Sequence, residues 1–268
     1  MQNISLKKNK SNIIIYNEDC IDGLKSLNRQ FDVIVTSPPY NLGIKYNSYD
    51  DSTDYWEYIE WLRLWLDAAF AALKDDGSLF LNVGSKPSSQ RFPFDVWALA
   101  TDMAKFNNFQ LQNTIHWIKS IAIDEVCSVG HYKPINSKRY INDCHEYIYH
   151  FTKTGNVELD RLSIGVPYKD KSNAARWGGG DVRCRGNVWF IPYETVQTKK
   201  KHPAMFPPKL PEMCMKLHGL ARIETVLDPF SGAGNTALAC IALEKDFVGF
   251  EIDKSYCDMT IEAIEAIY

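Results

Sequence analysis

The sequence predicts an α/β domain built on a mostly parallel, twisted sheet with helices on both faces. Three observations carry that prediction. Short strand-like apolar runs at 13–16, 33–35, 78–83 and 225–227 alternate with stretches of helical periodicity. A glycine-rich loop at 228–236 joins a strand to a helix of small residues. A proline pair, Pro38-Pro39, ends one run at the kind of strand terminus where open α/β sheets bind ligands. At 268 residues and 45% hydrophobic content, the chain can bury one large core, with room for a small insert.

Taken in order, 13–16 reads as the first strand, after a polar, lysine-rich start with no apolar signal-like segment. A short helix follows at 21–27, and Asp19 is either its N-cap or a ligand acceptor at the strand end. The 33–35 strand then meets the two prolines, which lack backbone N–H groups and hold the chain extended. Residues 43–53 read as a mobile loop near the site, carrying Tyr46 and Tyr49. From 54 to 73, Ile59, Leu62, Leu66, Ala69 and Leu73 recur at helical steps, with Asp54 as N-cap and Gly77 as the stop. Trp56, Trp61 and Trp65 are read as packing residues. A strand at 78–83, a helix at 94–106 and a strand at 111–118 continue the alternation, which implies right-handed parallel crossovers.

The pattern weakens after 120 and returns at 145–151 as an edge strand. Its His145-Glu146 pair is either structural or catalytic. Across 154–201, cations and aromatics interleave around a glycine run. That composition suits phosphates and unstacked bases, or else an ordinary solvated loop. Pro207-Pro208 opens a helix at 209–220, and the strand at 248–253 ends in acids. Three segments follow from this reading: 1–119, 120–201 and 202–268.

Composition narrows the class. A net charge of −3 and a pI of about 6.1 give no global basic field, so any nucleic-acid contact needs a local patch. Cys20, Cys127, Cys144, Cys184, Cys214, Cys240 and Cys257 form no Cys-x-x-Cys pair. That pattern predicts reduced thiols, no structural metal and a cytoplasmic protein without membrane association.

Two loops carry the chemistry. Ser37-Pro38-Pro39-Tyr40 offers a hydroxyl, carbonyls free of a ladder and an aromatic face, which suit a flat molecule bearing an amine, although such loops also occur as plain turns. Asp228-Pro229-Phe230-Ser231-Gly232-Ala233-Gly234 lets the backbone approach a ligand at a helix N-terminus, and Glu251 follows at the distance of a ribose acceptor. Ala237 stands where a third glycine would be, and no P-loop lysine follows, so adenosine without a phosphate chain fits better than a nucleotide.

These two motifs, in this order and far apart, resemble those of the beta group of amino-group DNA methyltransferases, a Rossmann-like methyltransferase fold with circularly permuted motifs. Asn17-Glu18-Asp19-Cys20, His145-Glu146-Tyr147-Ile148 and His202-Pro203-Ala204-Met205-Phe206-Pro207 resemble three further motifs of that group, so the likeness spans nearly the whole chain. It implies S-adenosyl-L-methionine as cofactor, near Asp19, Cys20, Phe206, Asp228, Phe230, Gly232, Gly234, Asn235, Thr236 and Glu251. It implies a catalytic loop of Ser37, Pro38, Pro39 and Tyr40 receiving a flipped base. Residues 120–201 become a small irregular target-recognition insert, with Arg176, Arg183, Arg185, Lys199, Lys200 and Lys201 meeting duplex DNA. A homodimer and a companion restriction endonuclease are expected by analogy. Serine at position 37 favours N4 of cytosine over N6 of adenine within that group, whereas Tyr40-Asn41 is common in adenine enzymes. Methylation at carbon-5 is excluded because no cysteine follows a proline. A protein-glutamine methyltransferase would have asparagine before the prolines and its glycine motif upstream, and a non-catalytic DNA-binding relative would have lost one of the two loops.

Overall fold

The computed structural model describes residues 3–84, 96–122, 126, 128–130, 138–139, 141, 143–172, 180–192 and 205–268. Arg176, Lys199, Lys200, Lys201 and residues 202–204 lie outside this set. One nine-stranded sheet dominates. Its strands are β1 (Asn3–Lys8), β2 (Ser11–Tyr16), β3 (Phe31–Thr36), β4 (Leu73–Val83), β5 (Gln110–Ile118), β8 (His145–Thr152), β11 (Val188–Phe190), β12 (Thr225–Asp228) and β13 (Asp246–Phe250). In space they run β1-β2-β13-β12-β3-β4-β8-β5-β11. Every neighbouring pair is parallel except β1 with β2 and the two pairs made by β8. Short hairpins β6–β7 (Ser120–Ala122, Ser128–Gly130) and β9–β10 (Val166–Pro167, Val182–Arg183) stand apart from it.

Helices cover both faces, as the periodicity predicts. On one side lie α1 (Cys20–Ser26), α2 (Tyr55–Ala72) and α3 (Val96–Phe106), and on the other α4 (Lys209–His218), α5 (Asn235–Ala242) and α6 (Lys254–Ile267). Central strands send alternate residues into the two cores. Val33 and Val35 enter the core shared with Leu210 and Ala237, while Ile34 enters the one shared with Leu62 and Trp65. This double burial explains why the strands read as continuous apolar runs.

Chain order places the crevice. From β3 the connection runs to β4 on one side, and from β12 it runs to β13 on the other, so the adjacent carboxyl ends of β3 and β12 form a topological switch point. The β3–β12 ladder pairs only Val226 with Val33 and Leu227 with Ile34. Side chains staple both of its ends. Asp32 accepts from the backbone N–H groups of Glu224 and Thr225, each at 2.9 Å, and from Lys74 Nζ at 2.5 Å. At the other end Thr36 Oγ1 donates to Asp228 Oδ1 at 2.7 Å.

Several expectations are corrected. β8 is an interior strand between β4 and β5, not an edge, and runs against both. Gly77 lies inside β4 rather than ending a helix: α2 stops at Ala72, and the chain turns directly into a strand. Trp56 is 73% exposed and packs into no core, whereas Trp65 is fully buried. The polar start contains β1, where Ile4 and Leu6 alternate toward the core, and the irregular region contains β11.

Candidate active site

A cavity of about 240 Å³ opens at the switch point. Its floor is the turn after β3. Here Asn41 adopts a left-handed backbone (φ 56°), which asparagine tolerates better than most residues. The turn is clamped from behind. Asp51 accepts from the N–H groups of Asn41, Leu42 and Ile44, and Asn41 Nδ2 donates to the Thr53 carbonyl at 3.1 Å. Tyr58 Oη, from α2, donates to the Pro39 carbonyl at 2.9 Å. The 43–53 loop is thus tied to the site by Asp51, and it places Tyr46 and Tyr49 in the wall as expected.

Within the turn, Ser37 Oγ and Tyr40 Oη are 2.6 Å apart, and Tyr40 Oη donates to the Asn82 carbonyl at 3.1 Å. A phenol has one proton. With that proton on Asn82, the Ser37 hydroxyl donates to Tyr40, and both lone pairs of Ser37 Oγ are left to accept. Burial pushes the Tyr40 phenol well up, with the Glu146 carboxylate adding to the effect, so it stays neutral.

Opposite lies the glycine-rich loop. Gly232 (φ 51°) and Gly234 (φ 79°) turn the chain into α5. A Cβ on Gly234 would meet Thr260 at 2.2 Å, so glycine is required there for helix packing. Gly232 N–H donates to Glu251 Oε2 and Asp253 N–H to Glu251 Oε1. Burial raises the Glu251 carboxyl to about 7 against these two bonds. Asp228 accepts from Thr36, Thr236 and Phe230 N–H, and burial raises it to about 6.

The expected cofactor residues divide into two groups. Asp19, Cys20, Phe206, Phe230, Gly232, Asn235 and Glu251 line the cavity. Asp228, Gly234 and Thr236 stand behind its wall and hold the loop together. Asp19 does two things at once. Its Oδ1 caps α1 by accepting from Ile21 N–H at 2.8 Å, and the residue also faces the cavity. Asn235 spends its amide on the Phe206 carbonyl at 2.6 Å, tying the 205–207 segment to α5. All four residues of the Ser37–Tyr40 turn line the same space. Of the expected DNA contacts, Arg183 is exposed on β10, and Arg185 donates through Nε to the Ile164 carbonyl; neither lines the cavity.

Sequence reasoning passed over Asn82, Trp117 and Lys119, and it left Glu146 undecided between roles. All four line the cavity. The signal was available: Asn82 and Trp117 sit at the carboxyl ends of β4 and β5, as the strand-end rule requires.

The wall suits the cofactor that the resemblance implies. Glu251 retains lone pairs for a diol, Phe206 and Phe230 offer apolar faces, and Glu18 Oε2 is buried at the cavity edge without a hydrogen-bond partner among the described residues. An orphaned carboxylate oxygen there calls for a ligand N–H.

The family model described as DNA methylase matches residues 31–262. Among curated proteins, the chain is 28% identical over 274 residues to the type II methyltransferase M.ScaI of Streptomyces caespitosus, covering 96% of this chain and 82% of that one. It is 28% identical to M.HpaI of Haemophilus parainfluenzae, covering 92% and 73% respectively. Two solved structures share the fold. The PvuII DNA methyltransferase (cytosine-N4-specific) has 20% identity and a TM-score of 0.70, with 96% of this chain and 89% of that one covered. M1.HpyAVI, solved as its SAM complex, has 23% identity and a TM-score of 0.57, with 94% and 99% covered.

Proposed function

This chain belongs to the DNA methylase family, and from that premise we propose that it methylates N4 of a flipped cytosine in duplex DNA. S-adenosyl-L-methionine supplies an activated methyl group at the cavity, and every other part of the reaction falls to this chain. Asp19, Cys20, Phe206, Phe230, Gly232, Asn235 and Glu251 hold the cofactor, with Asp228, Gly234 and Thr236 fixing the loop that presents it. Ser37, Pro38, Pro39 and Tyr40 receive the base. Ser37 Oγ and the Pro38 carbonyl accept from its exocyclic amine, drawing the nitrogen out of conjugation so that its lone pair faces the methyl group. Tyr40 packs against the ring. Transfer is direct, with no covalent intermediate on the protein, and the proton lost from the amine leaves to solvent.

The observation that carries this reading is the polarity of the Ser37–Tyr40–Asn82 chain, which leaves Ser37 Oγ an acceptor beside the cofactor loop. Orientation of this kind can lower the barrier by about 7–11 kcal/mol, while flipping a base costs a few kcal/mol. Serine at position 37 supports cytosine, as does the fold likeness to a cytosine-N4-specific enzyme. The competing sign, Tyr40-Asn41, loses weight because Asn41 has a backbone reason to be asparagine: a left-handed turn bonded to Asp51 and Thr53. N6-adenine methylation by the same mechanism is the second reading. Arg176, Arg183, Arg185 and Lys199 to Lys201 contact duplex DNA in this account, and a homodimer and a companion nuclease remain analogies. Digestion of methylated DNA to nucleosides and mass spectrometry decides the base.

A further inference from the structure

The cavity continues past Ser37 to an ion pair with no role so far. Lys119 Nζ lies 2.7 Å from Glu146 Oε1, with side chains 20% and 18% exposed. The Lys119 ammonium also sits 5.7 Å from the centre of the Trp117 ring. Half-buried ion pairs gain little stability after desolvation. Nor is the pair needed to join its strands, because the β5–β8 ladder already runs from Gln110–Thr152 to Ile118–His145. Room is nevertheless kept for it: a Cβ on Gly84 would meet Glu146 Cγ at 2.8 Å.

We propose that Lys119, held by Glu146, donates to the acceptor edge of the target base: the ring nitrogen beside the amine and, in cytosine, the adjoining carbonyl. This rests on the reading of the Ser37 turn as an amine trap. Strand order β3-β4-β8 sets the backbones of the Ser37 turn and Glu146 two strand spacings apart, roughly 10 Å. Ser37, Glu146 and Lys119 line one cavity, which leaves room for one edge of a base between the Ser37 hydroxyl and the Lys119 ammonium. An acceptor at Ser37 and a donor at Lys119 together read an amine next to a ring acceptor. Thymine offers a carbonyl and an N–H in those places and is rejected at both, because its N–H meets a cation.

The test uses the full-length protein and a duplex carrying the site that wild type methylates, made with cytosine or with 3-deazacytosine, which keeps the amine and replaces the ring nitrogen by C–H. Wild type is expected to lose about 10–100-fold in kcat/KM on the deaza duplex, the range of one hydrogen bond to a charged group. Lys119→Met is expected to lose a similar factor on cytosine, with unchanged S-adenosyl-L-methionine Kd, and to lose little more on the deaza duplex. Lys119→Arg, which keeps a donor, should retain most activity. Equal turnover of both duplexes by wild type overturns the proposal without any variant. So does a Lys119→Met enzyme that discriminates against 3-deazacytosine as strongly as wild type does. Should wild type methylate adenine, the cytosine reading fails, while the Lys119 contact is judged in the same way with 1-deazaadenine.

Discussion

At the scale of single residues, the site works by assigning protons. With the Tyr40 proton on Asn82, Ser37 Oγ keeps both lone pairs free to accept from an amine. Ser37→Ala should lower kcat by roughly 10–100-fold, the worth of a well-placed hydrogen bond in a dry site, with cofactor Kd nearly unchanged by equilibrium dialysis; full turnover would remove Ser37 from the mechanism. Glu251 makes the complementary prediction. Burial raises it to about 7, so in the free protein it protonates as pH falls through 7 and, as the proposed acceptor of the ribose hydroxyls, loses its pull on them. Cofactor affinity should weaken below pH 7 by up to about tenfold per unit, and Glu251→Gln should bind more weakly with a flat profile. A wild-type profile that is itself flat would separate Glu251 from the ribose. The Ser37–Tyr40 turn and Glu251 were legible because their residue types carry the chemistry. Lys119 and Glu146 were not, because an ion pair acquires meaning only from the strand ends that bring it to the cavity.

At the scale of elements, what could be read was what buries both faces. The runs in β3, β4, β12 and β13 are apolar throughout because helices cover each side. β1 escaped notice because it is half polar and β11 because it is only three residues long, and the order reversal at β8 cannot be seen in a run that reads the same in either direction. Close packing between elements gives a prediction against propensity. Gly23 lies in α1, where alanine would normally gain about 1 kcal/mol, yet its Cβ would stand 2.1 Å from Phe250 Cε1 in β13. Gly23→Ala should therefore destabilise by about 1–3 kcal/mol in urea unfolding; a stabilised variant would show that α1 slides freely over β13. A second junction joins β4, β5, β8 and α4. Ser78 Oγ is 2.9 Å from both His218 Nδ1 and His150 Nε2, and Asn113 Nδ2 is 3.0 Å from His150 Nδ1. Asparagine donates to His150, His150 to Ser78, and Ser78 to His218, with both rings neutral. Burial lowers His150 to about 3 and His218 to about 4. Ring NMR should show two histidines that do not titrate between pH 8 and 5; a midpoint near 6.5 for either would break the junction as described.

At the scale of the whole molecule, acid stability is a contest. His150 and His218, neutral when folded, take up protons more readily when unfolded, so they cost stability as pH drops below about 6.5. Asp228 and Glu251 act the other way. Their folded values stand near 6 and 7, so the stability they contribute is full at low pH and is lost as pH rises through those values. Near-cancellation between pH 7 and 5 is expected, and Glu251→Gln should tip the balance toward acid sensitivity. The chain as a whole carries −3, so duplex DNA must be met by a local basic surface. Reversing charge at Lys199, Lys200 and Lys201 should weaken binding to all sequences and flatten its salt dependence. Unchanged binding would place the DNA elsewhere.

The central claim is that Ser37 and its neighbours present the amine of a cytosine to the methyl donor. The most direct measurement incubates the protein with mixed-sequence duplex DNA and methyl-labelled S-adenosyl-L-methionine, followed by nucleoside digestion and mass spectrometry. The account predicts labelled N4-methylcytosine. Labelled N6-methyladenine alone would contradict the cytosine assignment while leaving the amine trap in place, and labelled 5-methylcytosine would contradict the mechanism itself.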